Sequence, residues 1–426
     1  MAEKLKAMRG THDILPEEAP LWRRVESAFV EVATRYGYDE IRVPVFEATE
    51  LFERGTGFST DVVQKEMYTF LDKKGRRLSL RPEATPSVVR AYLEHGLARK
   101  MPIAKFFYLG PMFRYDKPGA GRYRQFHQIG IELLGTASPV ADAEVILLLW
   151  QFLKAIGLTK LGVRINTLGC RPCRIRYSGV LKDFLKDKLG ALCSDCRERF
   201  ARNPLRVLDC KNPACRAILA KAPEVREILC EECVRHFESV QACLAEAGIV
   251  YAVDPRLVRG LDYYTRTVFE VFHADVGAEN AVGGGGRYDH LVEEMGGPAT
   301  PAVGFSAGLE RLVDAVKAEG SMRGENSGIE VYVASFGEKA LRPAFRLAAE
   351  LRARHRVWLQ YDQRKIDRQL GTASKLGARY TVIIGDDEAA RGVVRIKDMV
   401  SGEQVEMEMG AVAAWLKEKI GGQRVE

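Results

Sequence analysis

No stretch of this 426-residue chain approaches the roughly 20 consecutive apolar residues that a membrane-spanning helix needs. The start, Met1–Arg9, is charged and lacks the apolar core of a secretory leader, so export is not expected and a cytoplasmic location is. No internal repeat is visible, which argues against a stacked array of like units. Cysteine is absent outside Cys170–Cys243, yet that block holds all nine. A secreted disulfide scaffold would spread them through a shorter chain, so the block reads as a local metal-binding or reduced-thiol module. Charge of one sign is also scarce: the net value is +7, with an apolar share of 46%, as in a soluble globular protein. The excess is uneven, with 15 Lys+Arg against 10 Asp+Glu in residues 170–245 and 17 against 14 in residues 329–426. Those segments are where an acidic polymer would touch, although surface solubility explains the same numbers.

What is present falls into blocks, and a chain of this length is expected to form two or three domains. Helix and strand signals alternate at first. An amphipathic helix over Trp22–Tyr36 ends at Gly37, a strand over Glu40–Val43 stops at Pro44, and Met67–Leu71 with Arg77–Leu80 forms a hairpin. A helix over Thr85–Glu94, strands over Ala104–Leu109 and Gln128–Leu134, and a long apolar helix over Ala141–Ile156 follow. After a mostly helical cysteine block, strands return at Val268–Phe272 and Asn280–Gly283, then a helix over Ala307–Lys317. Short turns with few helical crossovers predict an α+β domain on a mainly antiparallel sheet, interrupted by a helical insertion.

A polar Gly/Ser-bearing linker at 318–328 precedes a change of period. Strands over Glu330–Phe336, Arg356–Tyr361 and Tyr380–Gly385 alternate with helices over Leu341–Arg354 and Ile366–Leu376. A hairpin of Val393–Lys397 and Gln404–Met409 and a closing helix over Ala411–Ile420 complete a C-terminal α/β domain with a mixed, mostly parallel sheet. The expected division is 1–169 with 246–317, an insertion at 170–245, the linker, and 329–426. Phe336, Trp358 and Tyr361 read as core strand residues.

Five segments carry chemistry. Leu257-Val258-Arg259-Gly260-Leu261-Asp262-Tyr263-Tyr264-Thr265-Arg266 reads as a loop entering a strand. Its guanidinium can clamp a phosphate or carboxylate through two parallel hydrogen bonds, and its tyrosines offer a flat wall with hydroxyls for a small polar ring. Arg81-Pro82-Glu83-Ala84-Thr85 sets a carboxylate and a hydroxyl at a strand-to-helix junction, acceptors for an ammonium group, although Thr85 as a helix cap explains the same residues. Phe113-Arg114-Tyr115-Asp116 leads to Arg122-Tyr123-Arg124-Gln125-Phe126-His127-Gln128 and on to Glu132. Its arginines make an anion cradle across a hairpin, Phe126 gives a stacking face, and His127 reads as structural. Gly283–Gly286 with Arg287-Tyr288-Asp289 follows a strand, where the backbone can pass beneath a ligand, form an anion-binding nest or simply turn. Gly304–Arg311 runs from strand into helix and ends on an arginine that can face back into a site.

In this order the segments resemble the class II aminoacyl-tRNA synthetases and, among them, the histidyl-tRNA synthetase family. Pro44 and its flanks are similar to the class's dimer-forming first motif, Phe113–Gln128 to its second and Gly304–Arg311 to its third. Leu257–Thr265 and Gly283–Asp289 are similar to the two signatures peculiar to the histidine family. The resemblance covers nearly the whole chain.

It implies a histidine–tRNA ligase. Histidine's carboxylate attacks the α-phosphorus of ATP, and the terminal adenosine of the tRNA for histidine then takes the histidyl group. Arg114 and Arg259 would bracket the α-phosphate, with Arg259 also orienting the carboxylate. Glu83, Thr85 and Gln128 would hold the ammonium; Glu132 and Tyr264, with Tyr263 shaping the wall, would read the imidazole. Phe126 and Arg311 would sandwich adenine, and Arg122 would meet outer phosphates bridged by Mg²⁺. The C-terminal domain would bind the anticodon, and the assembly would be a homodimer without a membrane partner. Three positions depart from the family's pattern: Asp116 where Glu is common, Ala84 where Gly is frequent, and Lys117 where arginine is usual.

Cys170/Cys173, Cys193/Cys196 and Cys230/Cys233 are C-x-x-C pairs, and Cys210/Cys215 is a looser fourth. Eight such ligands satisfy two tetrahedral zinc ions, while reduced core thiols fit the same spacing, and the combination of pairs is not readable. Cys243 reads as a buried apolar residue on a helix over Val234–Ala245. The resemblance makes this block an insertion near the tRNA acceptor stem, and zinc is not general to the family. A rival reading is a catalytically silent histidine-binding paralogue that regulates another enzyme; Arg114, Arg259, Arg311 and the C-terminal domain argue against it. A zinc-dependent nucleic-acid-binding protein would leave Glu83, Glu132 and the tyrosines unexplained.

Overall fold

The computed structural model describes residues 4–57, 60–119, 121–274, 281–321, 328–362 and 365–421. Part of the linker at 318–328 and Asn280, the first residue of an expected strand, lie outside them. The chain divides into two compact units, Met1–Arg323 and Gly324–Glu426. Among the described residues no helix is long and apolar enough to cross a membrane.

The first unit begins with α1 (Ala19–Arg35), β1 (Asp39–Glu40), β2 (Phe46–Ala48), α2 (Thr49–Thr56), β3 (Thr69–Leu71), β4 (Arg77–Leu80) and α3 (Thr85–Glu94). Strands β5 (Ala104–Phe113) and β6 (Gln125–Leu134), helix α4 (Pro139–Ala155) and β7 (Leu161–Thr167) follow. The cysteine block supplies α5 (Arg171–Leu185), α6 (Ser194–Arg202), α7 (Pro213–Leu219) and α8 (Glu231–Glu246). Then come β8 (Tyr251–Val253), β9 (Thr265–His273), β10 (Ala281–Arg287), α9 (Leu291–Glu294), β11 (Ala302–Gly308) and α10 (Leu309–Glu319).

Eight strands join in the order β1-β5-β6-β11-β10-β9-β7-β8, antiparallel except for the outermost pairs β1–β5 and β7–β8. The antiparallel sheet is thus the expected one, although β7 and β8 were not read from the sequence. Residue alternation along the strands decides what each face carries. Ile129, Ile131 and Leu133 of β6 enter one core with Phe269 and Val271 of β9, packed under apolar side chains of α1, α4, α8 and α10. Their neighbours Gln128, Glu132 and Glu270 are thereby turned to the opposite face. Helix α1 follows from its sequence, since Leu21, Trp22, Val25, Phe29 and Val32 recur on one buried stripe.

The glycine run is neither a turn nor a nest. Gly283–Gly286 lie within β10, paired with β9 on one side and β11 on the other. The reason is space: a Cβ on Gly285 would stand 2.0 Å from the Gly304 carbonyl oxygen, and one on Gly284 would stand 2.8 Å from Nη1 of Arg259.

The second unit contains β12 (Val331–Ser335), α11 (Leu341–Leu351), β13 (Val357–Leu359), α12 (Ile366–Lys375), β14 (Tyr380–Ile384), α13 (Asp386–Arg391), β15 (Val393–Asp398), β16 (Gln404–Glu408) and α14 (Val412–Gly421). The βαβαβ run gives the parallel set β13-β12-β14, and the hairpin extends it antiparallel as β15-β16. Val331 and Val333 enter one apolar core and Tyr332 and Ala334 another, so both faces are covered. Two expected core residues are not core: Trp358 is 39% and Tyr361 76% exposed. Strand β13 is the sheet edge, which leaves Trp358 partly open, and it ends at Leu359, which puts Tyr361 beyond the sheet.

Candidate active site

A cavity of about 770 Å³ opens on the face of the eight-stranded sheet that carries Gln128, Glu132 and Glu270. Its wall includes Glu83, Thr85, Arg114, Arg122 and Phe126 from the N-terminal half, and Arg259, Tyr263, Tyr264 and Arg311 from beyond the insertion.

One end is acidic and buried. Glu83, between β4 and α3, accepts from the Thr56 hydroxyl at 2.6 Å and from the Tyr263 hydroxyl at 2.8 Å. Burial pushes its carboxyl above the ordinary range, against those donors and the nearby Arg114. Glu132 accepts from Thr85 at 2.6 Å and from the Tyr288 hydroxyl. Burial, opposed by both hydroxyls, pushes its pKa up to about 8. Thr85 is therefore not the helix cap: Ala84 holds that place, without a side-chain bond. Helix α3 aims the Thr85 hydroxyl at Glu132 of β6, which leaves the oxygen's lone pairs as acceptors in the cavity wall. Tyr263 packs against Tyr264 at 4.7 Å and edge-on to Tyr288 at 5.5 Å between ring centroids, closing a small aromatic slot. The Gln128 carbonyl oxygen is buried without a hydrogen-bond partner among the described residues, which leaves a directed acceptor at this end.

The other end is cationic. Arg114 donates through Nε to the Pro82 carbonyl at 2.9 Å, and its guanidinium lies over the Phe126 ring at 5.4 Å. Arg259 is ion-paired with Glu270. Burial works against its charge, but the Glu270 carboxylate holds the guanidinium firmly protonated. Arg311 stands in the first turn of α10, where a cation opposes the helix dipole, and donates to the carbonyls of Gly121 at 3.2 Å and Ala281 at 2.9 Å. Burial, with Arg122 and Arg114 nearby, lowers its proton affinity, so several cations crowd one space that an anion would relieve. Arg122 is half-exposed and 3.7 Å from Asp116, the residue that departs from the family's glutamate.

Not all expected cradle members face this space. Arg124 stacks on Tyr115 at 4.0 Å and donates its backbone N–H to the Gly10 carbonyl, so the third arginine of the hairpin is structural. His127 is too: its backbone N–H and Nδ1 both meet Glu310, at 2.9 and 3.0 Å. Arg287, beside the glycine run, is fully buried on Asp142, Asp289 and two carbonyls.

Compared with known proteins, residues 10–312 match the family described as histidyl-tRNA synthetase, and residues 330–419 match an anticodon binding domain. The chain belongs to the histidyl-tRNA synthetase family. A histidine–tRNA ligase of Pelotomaculum thermopropionicum is 49% identical over 98% of each chain, and one of Halothermothrix orenii is 49% identical over 95% of this chain and 96% of its own. The crystal structure of apo histidyl-tRNA synthetase from S. aureus superposes with a TM-score of 0.81 at 37% identity, covering 97% of this chain and 100% of that one.

For a histidyl-tRNA synthetase family member, several cavity residues escaped the sequence reading. Tyr108 gave no signal, nor did Thr56, which braces Glu83 from behind the wall. Tyr288 was inside a quoted motif but unassigned. Glu270 had one, as a single carboxylate in the apolar strand Val268-Phe269-Glu270-Val271-Phe272. From the insertion, Arg199, Arg206, Asp209 and Lys211 also line the cavity. The pairing of the cysteines is now readable: Cys170, Cys173, Cys230 and Cys233 form one group, Cys193, Cys196, Cys210 and Cys215 another. Cys243 is half-buried against the main core.

Proposed function

We propose that this protein is a histidine–tRNA ligase that activates histidine with ATP and passes the histidyl group to the 3′ end of the tRNA for histidine. The observation that carries the reading is one cavity with two buried carboxylates at one end and clustered guanidinium groups at the other. Histidine lies with its ammonium toward Glu83, Thr85 and Gln128 and its imidazole between Glu132, Tyr263 and Tyr264. A buried carboxylate without an N–H partner is costly, and that cost rejects apolar amino acids.

ATP lies with adenine on Phe126 and Arg311 and its outer phosphates on Arg122; a Mg²⁺ ion arriving with ATP would offset the phosphate charge there. A carboxylate oxygen of histidine bonds to the α-phosphorus while the bond to pyrophosphate breaks. Arg114 and Arg259 stabilise the charge that builds there, and no base is needed because the nucleophile is already ionised at neutral pH. To meet substrate, Arg259 shares or exchanges its Glu270 partner.

In this reading residues 1–169 and 246–317 are the catalytic domain, 170–245 an insertion that carries zinc, 318–328 a linker and 329–426 the anticodon-binding domain. The protein works in the cytoplasm as a homodimer. The exposed apolar side chains Val45, Phe46, Phe70 and Leu71 on the small β2-β4-β3 sheet, beside Pro44, suit a self-complementary face. ATP–pyrophosphate exchange measured with each of the twenty amino acids tests the function: exchange with histidine alone supports it, and exchange with none or with another amino acid overturns it.

A further inference from the structure

We propose that the insertion holds two zinc ions, each in a cage of four thiolates, and that the cages fix the insertion's share of the cavity wall. The metal assignment stands apart from the ligase reading; the positioning role rests on it.

The first argument is distance. In each group of four cysteines the sulfurs lie within 4.8 Å of one another. Cys170 and Cys173 are 3.6 Å apart, Cys170 and Cys230 3.9 Å, and Cys193 and Cys210 3.8 Å. A disulfide requires about 2 Å. Zinc–sulfur bonds of about 2.3 Å at tetrahedral angles put sulfurs about 3.8 Å apart. Those three separations match the edge length of that tetrahedron, and the other sulfurs of each group stay within 4.8 Å.

The second argument is the backbone. Cys170, Cys193 and Cys230 occupy the N-cap positions of α5, α6 and α8, with their pair partners in the first helical turn. Backbone N–H groups then point at sulfur across each group. Cys170 N–H meets Cys233 at 3.2 Å, Cys230 N–H meets Cys173 at 3.2 Å, and Cys193 N–H meets Cys215 at 3.3 Å. The Arg176 guanidinium adds a cation 3.4 Å from the Cys173 sulfur. Neutral core thiols have no use for such donors, whereas thiolates on a metal are stabilised by them. Cys170, Cys193 and Cys230 are also only half-buried, unlike core thiols.

The third argument is where the cages stand. They are nested, the inner one lying in sequence between the arms of the outer, so the outer closes the base of the insertion. Cys193 and Cys210 themselves line the cavity. Between the inner arms, Asn203 donates to the Asp262 carboxylate at 2.7 Å and Arg206 to the Arg259 carbonyl at 3.1 Å. Beside the outer cage, Arg174 donates to the Asp262 carbonyl at 3.2 Å. The segment bearing Arg259, Tyr263 and Tyr264 is therefore held from both cages. The piece from Cys193 to Cys215 has two short helices and little core of its own, the situation in which a metal supplies the missing stability.

Metal analysis of the purified full chain, without chelator, tests this. Two zinc ions per chain are expected, falling to one in C193S/C196S and to one in C170S/C173S. Should the second variant fail to fold, titrating wild-type thiols with a mercurial and counting released zinc gives the same answer, two ions per eight thiols. Fewer than one ion with free thiols, disulfides, or iron in place of zinc overturns the assignment. These counts are valid whether or not the protein aminoacylates. For positioning, C193S/C196S is expected to raise the KM for histidine about tenfold and to lower kcat by a similar factor, because the loosened segment carries both the tyrosine wall and Arg259. An unchanged KM at one zinc per chain overturns that role.

Discussion

The Thr85 hydroxyl donates to Oε1 of Glu132 at 2.6 Å, tying the first turn of α3 to β6 at the buried end of the cavity. With Tyr288 on the other oxygen, Glu132 is held in one orientation before substrate arrives. The E132Q variant keeps the shape and replaces the carboxyl with an amide that cannot ionise or share the same proton. Losing the hydrogen bond between this carboxyl and the imidazole, about 0.5–1.5 kcal/mol for a neutral pair, raises the KM for histidine about 2- to 13-fold in the exchange assay, with the KM for ATP little changed.

The same carboxyl gives a pH signature. Burial raises its pKa to about 8, so the folded state holds this proton more tightly than the unfolded chain does. The contribution is complete below the ordinary carboxylate value and is lost as pH rises through about 8. Without ligand, the stability of the wild type relative to E132Q therefore falls on the order of 1–3 kcal/mol between about pH 5 and pH 9, measured by urea unfolding of both proteins.

Arg287 illustrates the opposite kind of arginine. It and Asp142 are both fully buried, and its Nε donates to Asp142 at 2.9 Å. Replacing it with methionine removes the guanidinium and leaves the Asp142 carboxylate beside the His236 ring, at 2.8 Å. R287M is expected to cost about 3–5 kcal/mol, seen as a lowered urea midpoint. R259A, at a site open to the cavity, shifts that midpoint little.

Much of this was legible in the sequence because its signals were local. A 3.6-residue apolar stripe gave α1, strand signals over Ala104–Leu109 and Gln128–Leu134 gave most of β5 and β6, and an arginine with paired tyrosines marked the segment at Leu257–Arg266. What was not legible depends on partners distant in sequence. The glycine run became a central strand because β9 and β11 approach too closely for side chains. Trp358 and Tyr361 were misread because an edge strand has the same composition as a central one. Arg114 and Arg124 carry the same group, and only the fold sets one over Phe126 in the cavity wall and the other over Tyr115 outside it. The cysteine pairing required the nesting of α5 through α8, which spacing does not encode.

The central claim is that Arg259 acts on the reacting phosphate and carboxylate rather than on the fold. It is tested most directly by histidine-dependent ATP–pyrophosphate exchange in R259A and R259K, with their unfolding midpoints measured alongside. The account predicts a loss of about 1,000-fold or more in both variants, since lysine lacks the two-pronged donor geometry, with midpoints near that of the wild type. Exchange at the wild-type rate in either variant would contradict it.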